Sequence, residues 1–269
     1  MRKIIAMLTA LFIVIANSSL AIAKTADKDQ TLNIDSHKNG IVELSYRSED
    51  GKRVKVLIEK EGVKYQYNLN NEGKFEAFPL QMGNGTYNIS ILENTEGNKY
   101  LPVYTEKKVL EVKNQNTVFL NSIQQITWDS ESEASKLASD ITKGLKTDDE
   151  KVSAIYNFVV NNFKYDHEKL ANLPSTYLPD ANAMLNDKTG ICYDFSSLFA
   201  VMLRSQGIPA KLVKGYTDNV KGYHAWNEVL NSKGQWIVVD TTYDAQMREH
   251  GYNTAIEKKA EEYTKKLEF

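Results

Sequence analysis

Residues 190–216 read GICYDFSSLFAVMLRSQGIPAKLVKGY, and the pattern of this stretch is the most informative in the chain. It contains Cys192, the single cysteine in a chain of 269 residues. After Cys192 apolar residues recur at intervals of three and four, and Gly207 with Pro209 forms a helix stop signal. Beyond Pro209 the period changes to the alternation of a strand. The pattern predicts a helix that begins beside the only thiol and leads into a sheet.

Two interpretations of Cys192 follow from this position. A catalytic cysteine attacks as a thiolate, and the N-terminus of a helix favours a negative charge. The helix amides could also bind an oxyanion, and Gly190 would let the backbone turn tightly and admit a substrate. The other interpretation is a buried structural cysteine, which is common among free thiols. The cysteine alone leaves both open.

A base and an orienting acid are the next requirement of a thiol nucleophile. His224 begins a predicted strand in YHAWNEV (223–229), and Asp240 ends the next one in WIVVDTTYD (236–244). A short link containing Gly234 makes these strands antiparallel neighbours, so His224 and Asp240 could face each other near one end. The alternatives are a satisfied strand histidine and an ordinary turn carboxylate.

The remaining histidines give no sign of a metal site. His167 and His250 lie in polar segments that are typical of solvated positions. One cysteine and scattered histidines lack the spacing of metal ligands, so the sequence predicts neither a metal nor another cofactor.

Residues 1–23 read MRKIIAMLTALFIVIANSSLAIA, which predicts an export signal that is cut after Ala23; the alternative is a retained membrane anchor. We expect a secreted or cell-wall-associated protein with no stable membrane insertion after cleavage. Cleavage removes Arg2 and Lys3 and moves the formal net charge from −2 to −4. This near balance argues against nucleic acid as a main partner.

The rest of the chain predicts an α+β protein with two folded parts. Residues 24–118 alternate in short runs between turn residues, which predicts an all-β sandwich of immunoglobulin-like type. Residues 119–250 form the second domain, in which helices after Ser130 and Thr147 precede an antiparallel sheet. In residues 251–269, Ile256, Ala260 and Tyr263 stand at helical spacing, which predicts an amphipathic helix that packs on this domain or binds a partner.

The stretch around Cys192, together with YHAWNEV and WIVVDTTYD, resembles the transglutaminase-like superfamily over roughly residues 128–243. That resemblance implies a papain-like core, with Cys192 as nucleophile, His224 as base and Asp240 as orienting acid. It also implies that the β-domain is an accessory module. The family often has proline after the aspartate, where this chain has Thr241.

The function expected from these residues is acyl transfer on a peptide or protein substrate through a thioester. Hydrolysis is slightly favoured over crosslinking, with deamidation also open, because the loops around the site are short and polar. Tyr177, Asn182 and Trp226 are weaker candidates for binding the oxyanion or positioning the substrate. The alternative class is a non-catalytic cell-surface binding module that keeps the fold.

Overall fold

The computed structural model describes residues 32–33 and 39–269. The predicted export signal at residues 1–23 lies outside this range. Within the described residues, no helix has the length and apolar character needed to cross a membrane.

The described chain divides into two compact units. The first contains Ser45–Phe75 and Thr86–Lys108, and the second contains residues 39–44, Glu76–Gly85 and Val109–Phe269. The division therefore does not follow the predicted boundary after residue 118.

The first unit is built on an antiparallel sheet with the strand order β4-β3-β6-β7. Its strands are β3 (Val54–Lys60), β4 (Val63–Leu69), β6 (Gly85–Glu96) and β7 (Lys99–Leu110). Val56 on β3 is fully buried and lies opposite Tyr67 on β4 and Ile91 on β6. The predicted alternation is thus present, because every second residue of β3 faces the interior.

The immunoglobulin-like sandwich is not confirmed. Strand β1 (Leu32–Asn33) belongs to a three-stranded sheet with β2 (Ile41–Leu44) and β5 (Glu76–Pro79), and β2 and β5 fall in the second unit. Hydrogen bonds explain this assignment. The amide of Gln124 donates to the carbonyl of Ala77 at 3.0 Å, and Gln81 Nε2 donates to the carbonyl of Glu268 at 3.0 Å.

The second unit contains the helices predicted near Ser130, Thr147 and Cys192, together with further helices that the sequence did not predict. They are α1 (Glu133–Thr142), α2 (Asp148–Asn162), α3 (His167–Ala171), α4 (Ala181–Asp187), α5 (Cys192–Ser205) and α6 (Thr241–Glu249). The capping box at the start of α2 is as predicted, with Glu150 N donating to Thr147 Oγ1 at 3.2 Å and Thr147 N donating to Glu150 Oε2 at 2.9 Å. Helix α1 instead begins after Ser132, whose hydroxyl accepts from the amide of Ser135.

The sheet of the second unit is antiparallel, with the order β13-β12-β11-β10-β14. Its strands are β10 (Ala210–Thr217), β11 (Val220–Leu230), β12 (Trp236–Val239), β13 (Glu257–Lys258) and β14 (Tyr263–Glu268). Helix α5 packs on β10 and β11 and is buried almost all round, with Phe195, Leu198 and Phe199 fully enclosed. A short parallel pair, β8 (Lys164–Tyr165) and β9 (Thr189–Gly190), precedes it.

The predicted helix over residues 251–269 is wrong. This segment contains β13, a 3-10 helix at Ala260–Glu262, and β14. Strand β14 pairs along β10, and Phe269 exchanges backbone hydrogen bonds of 2.9 and 3.0 Å with Leu212. Without β14 the edge of β10 would leave these backbone groups unpaired, so pairing with a distant strand overrides the local helical spacing.

Candidate active site

Cys192 is the first residue of α5. Ile191 before it has the extended backbone of an N-cap residue, with φ −95° and ψ 174°. The thiol is partly exposed and lies at the end of a 14-residue helix where amide groups lack intrahelical acceptors. The helix thus begins where the sequence predicts, and its positive end faces the sulfur.

His224 and Asp240 meet beside the cysteine. His224 Nε2 lies 2.8 Å from Asp240 Oδ2, and both side chains are buried. The Cys192 side chain lies close enough to His224 to help raise the pKa of the imidazole. Because Nε2 is occupied by Asp240, Nδ1 is the ring nitrogen left for the sulfur. The geometry matches a nucleophile, a base and a group that orients the base.

Asp240 is held at the junction of a strand and a helix. Asp240 was predicted to end a strand, but β12 stops one residue earlier at Val239 and Asp240 is the N-cap of α6. Its Oδ1 accepts from the amide of Tyr243 at 3.0 Å, and its Oδ2 accepts from the hydroxyl of Tyr263 at 3.0 Å. These two hydrogen bonds fix the orientation of the Asp240 carboxylate, so that its Oδ2 faces His224.

His224 carries a positive charge over most of the pH range. Burial disfavours the charge, but the charge and hydrogen bond of Asp240, together with the contact to Cys192, outweigh burial and raise the pKa of His224 to about 10. An ordinary histidine has a pKa near 6.5. A histidine that stays protonated at neutral pH stabilises a thiolate beside it.

Residues 135–241 match the model of the transglutaminase-like superfamily. These residues form a transglutaminase-like domain. The matched range includes the cysteine, the histidine and the aspartate described above.

Several known proteins are similar to parts of the chain. The uncharacterized protein YebA of Bacillus subtilis (strain 168) is 27% identical over 199 residues, which cover 62% of this chain and 27% of that protein. Kyphoscoliosis peptidase of Mus musculus is 29% identical over 133 residues, which cover 45% of this chain and 19% of that protein. The chain therefore aligns with about a quarter or less of these relatives' length. The periplasmic domain of TgpA from Pseudomonas aeruginosa is 15% identical with a TM-score of 0.40, covering 77% of this chain and 95% of that domain.

Trp226 supports the histidine of the transglutaminase-like domain from the core. Its ring stacks on His224, with centroids 6.4 Å apart, and meets Tyr263 edge-on at 5.1 Å. Trp226 is only 1% exposed, and its Nε1 is buried without a hydrogen-bond partner among the residues that the structure describes. The expected role of Trp226 in binding the oxyanion or positioning the substrate stays a prediction, and the structure shows the indole packed in the core beside His224.

The predicted oxyanion candidates of the transglutaminase-like domain are engaged elsewhere. The hydroxyl of Tyr177 donates to Asp194 Oδ1, and burial followed by this hydrogen bond raises the pKa of Tyr177 to about 12. Asn182 Oδ1 accepts from the amide of Ala134 at the start of α1. Their role in binding the oxyanion or positioning the substrate stays a prediction, whereas the amide of Cys192 itself stands in the first turn of α5.

Asp194 is a site residue that sequence reasoning missed. Its Oδ2 accepts from the amide of Ile191 at 2.9 Å and pairs with Lys169 Nζ at 2.8 Å, while Oδ1 accepts from Tyr177. The carboxylate is 1% exposed, and it fastens the loop before the cysteine to the first turn of α5. An acid three positions after an N-cap is the signal that could have identified it.

Gly190 has a different role from the one expected. A Cβ atom at this position would lie 2.8 Å from Cβ of Asp194 and 3.1 Å from its Oδ2. The glycine is buried in β9. It is required because the Asp194 carboxylate occupies the space in which a side chain would stand.

Tyr263 was also missed, because it lies in the tail that was predicted to be helical. Burial, followed by the charge of Asp240, raises the pKa of Tyr263 far above its usual range, so its hydroxyl stays protonated and donates. Gly215 lets this strand approach: a Cβ there would lie 2.1 Å from the carbonyl oxygen of Thr264 and 2.9 Å from Cη2 of Trp226.

Proposed function

We propose that the protein is a cysteine-nucleophile enzyme that transfers acyl groups from peptide or protein amides. The observation that carries the proposal is the 2.8 Å contact between His224 and Asp240, with Cys192 near the same imidazole at the N-terminus of α5. In this proposal Cys192 is the nucleophile, His224 the general acid and base, and Asp240 the group that orients and charges the imidazole.

The reaction begins from a thiolate and an imidazolium. The Cys192 thiolate attacks the carbonyl carbon of an amide, a C–S bond forms, and the negative charge moves to the carbonyl oxygen. The imidazolium of His224 then gives its proton to the amine nitrogen, the C–N bond breaks, and a thioester remains. The amide N–H of Cys192 and the positive end of α5 favour the developing oxyanion.

The second half of the reaction regenerates the site. A water molecule gives a proton to neutral His224 while its oxygen attacks the thioester carbon. The C–S bond breaks, an acid leaves, and the thiolate and imidazolium are restored. With a lysine amine in place of water, the same steps give an isopeptide bond.

Hydrolysis is the favoured outcome. Crosslinking needs a channel that admits an amine and keeps water out. The hairpin between β10 and β11 turns within a few residues, and Tyr216 and Tyr223 beside it are exposed. These short and open walls support access by water.

The cellular setting belongs to the same proposal. The export signal predicted at residues 1–23 supports a secreted or cell-wall-associated enzyme whose substrates are proteins or peptides outside the cytoplasm. The formal charge of −4 after cleavage supports a partner other than nucleic acid.

The experiment uses the protein without residues 1–23, a set of protein substrates and a labelled primary amine. Cleavage products that disappear in Cys192→Ala and in His224→Ala are expected. Amine incorporation that depends on Cys192 without cleavage would replace hydrolysis with crosslinking. No turnover of either kind, together with slow alkylation of Cys192, would favour the non-catalytic binding module.

A further inference from the structure

Asn227 is a fully buried amide in the middle of β11. Its neighbours on the same side of the strand, Ala225 and Val229, are apolar and buried, so an aliphatic side chain would fit the local pattern at lower cost. The sheet itself does not need the amide, because the backbone of Asn227 lies opposite Leu212 on β10 and Val239 on β12. Another interaction of the side chain must therefore offset the cost of burying it.

The Asn227 amide joins helix α5 to the sheet. Its Nδ2 donates to the carbonyl of Ser196 on α5 at 2.9 Å and to the carbonyl of Lys211 on β10 at 3.0 Å. A primary amide has two N–H donors, and both are used here. Since carbonyl oxygens only accept hydrogen bonds, the amide fits this place in one orientation. Hydrogen bonds are directional, so this pair fixes where α5 stands on the sheet.

These hydrogen bonds lie close in sequence to two of the candidate catalytic residues. Ser196 follows Cys192 by four residues, which is about 6 Å along α5. Asn227 follows His224 by three residues, which is about 10 Å along β11. The apolar packing of α5 on the sheet is non-directional and permits small movements of the helix along its axis. Fixing Ser196 against Asn227 therefore fixes the backbone of Cys192 against the backbone of His224.

We propose that Asn227 is a positioning residue, which holds Cys192 at the distance from His224 that lets the imidazolium stabilise the thiolate. In this proposal the amide acts through α5 and β11 and not on the substrate. The inference rests on the proposed function, since only a reacting thiolate needs the imidazolium at a set distance.

The rate at which iodoacetamide alkylates Cys192 tests this role without any protein substrate. The thiolate forms a C–S bond and iodide leaves. We compare the wild type with Asn227→Val, which suits a strand, and with Asn227→Ala, which makes no steric demand. Ser197→Ala is the matched control. It removes another buried hydrogen bond of α5, 2.8 Å long, whose acceptor is the carbonyl of Gln125 and lies outside the strand of His224.

At pH 7 both Asn227 variants are expected to react about tenfold more slowly than the wild type, because the imidazolium no longer lies where it stabilises the thiolate. Ser197→Ala is expected to keep the wild-type rate. Near pH 9.5 a thiol ionises without help, so the rates of all four proteins should converge. In a Cys192→Ala background, Asn227→Val should leave the NMR titration of His224 unchanged, because Asp240 still holds the imidazole.

Equal rates at pH 7 in the wild type and Asn227→Ala would overturn the positioning role. An equal slowing by Ser197→Ala would do so as well, because any weakened anchoring of α5 would then be enough. A changed titration of His224 in the Asn227→Val protein would also count against it, because the amide would then act on the base and not on the helix.

One measurement needs no variant. The two Nδ2 protons of Asn227 in the wild type are expected to exchange with solvent at least about tenfold more slowly than those of the exposed Asn98. Equally fast exchange would overturn the proposal even if every variant failed to fold. If wild-type Cys192 reacts at pH 7 no faster than a free thiol, the proposed nucleophile fails and the positioning role with it, so this failure is distinguishable from the others.

Discussion

Replacing Asp240 by asparagine tests what holds the charge on His224. The difference between the pKa of His224, about 10, and the ordinary value of 6.5 corresponds to a free energy of about 5 kcal/mol in favour of the imidazolium. Asparagine keeps the size of the side chain but removes the charge that opposes burial. Without it, burial dominates and the pKa of His224 is expected to fall below about 6.5, so that less than about a tenth of the imidazole is protonated at pH 7.5.

The direct assay is an NMR titration of the His224 ring nitrogens. Both proteins carry Cys192→Ala, because the sulfur also affects the histidine. With Asp240 present the ring is expected to remain an imidazolium to above pH 8, and with Asp240→Asn it is expected to be neutral above pH 7. In the proteins that keep Cys192, iodoacetamide at pH 7 should label Cys192 more slowly in Asp240→Asn than in the wild type, because a neutral imidazole no longer stabilises a thiolate.

Stability gives a second measurement of the same change. A group whose pKa is raised by folding stabilises the folded state below its unfolded pKa, and this contribution is lost as pH rises toward the folded pKa. The free-energy difference between the wild type and Asp240→Asn should therefore be largest below pH 6.5 and shrink toward pH 10. A His224 ring that stays protonated at pH 8 in the asparagine variant would refute the role given to Asp240.

Three further predictions concern the supports of the site, each measured by urea denaturation. Tyr263→Phe removes a donor to Asp240 and is expected to lower the free energy of unfolding by about 1 kcal/mol. The control, Tyr216→Phe on the exposed hairpin, should leave the free energy of unfolding almost unchanged. Equal effects of the two substitutions would contradict the role of the buried hydroxyl. Gly215→Ala puts a methyl group 2.1 Å from a carbonyl oxygen of β14 and should lower the free energy of unfolding by about 1–3 kcal/mol. Unchanged stability would show that β14 can move away from β10 at no energetic cost. Arg204→Met removes the guanidinium that donates to the carbonyls of Ala210, Asn121 and Phe269, of which Phe269 keeps the amide of Leu212, and should cost about 3 kcal/mol. A loss below about 1 kcal/mol would mean that water replaces the guanidinium.

The three candidate catalytic residues could be located from the sequence because each lies at the end of an element with a strong local pattern. Cys192 precedes a helical run that ends at Gly207, and His224 and Asp240 border alternating runs joined by a short turn. Because a short connection usually joins strands that are adjacent in a sheet, the local pattern was enough to predict that the strands of His224 and Asp240 are neighbours.

The supports of the site could not be located in this way, because they come from distant segments. Tyr263 lies in a run with helical spacing, and only the unpaired edge of β10 makes it a strand. Asp194 is one acid among many until its partners Lys169 and Tyr177 are known. The same limit applies to β5, which joins the second unit through hydrogen bonds to residues far along the chain.

The close approach at Gly215 has an evolutionary consequence. A smaller residue in place of Trp226 would not make room for a side chain at position 215, because the carbonyl oxygen of Thr264 would still block it. Only a displaced β14 would make room, and that displacement would separate Tyr263 from Asp240. Positions 215 and 263 should therefore change together among homologues, so that lineages with a side chain at 215 have also given up the tyrosine and hold the aspartate by another donor.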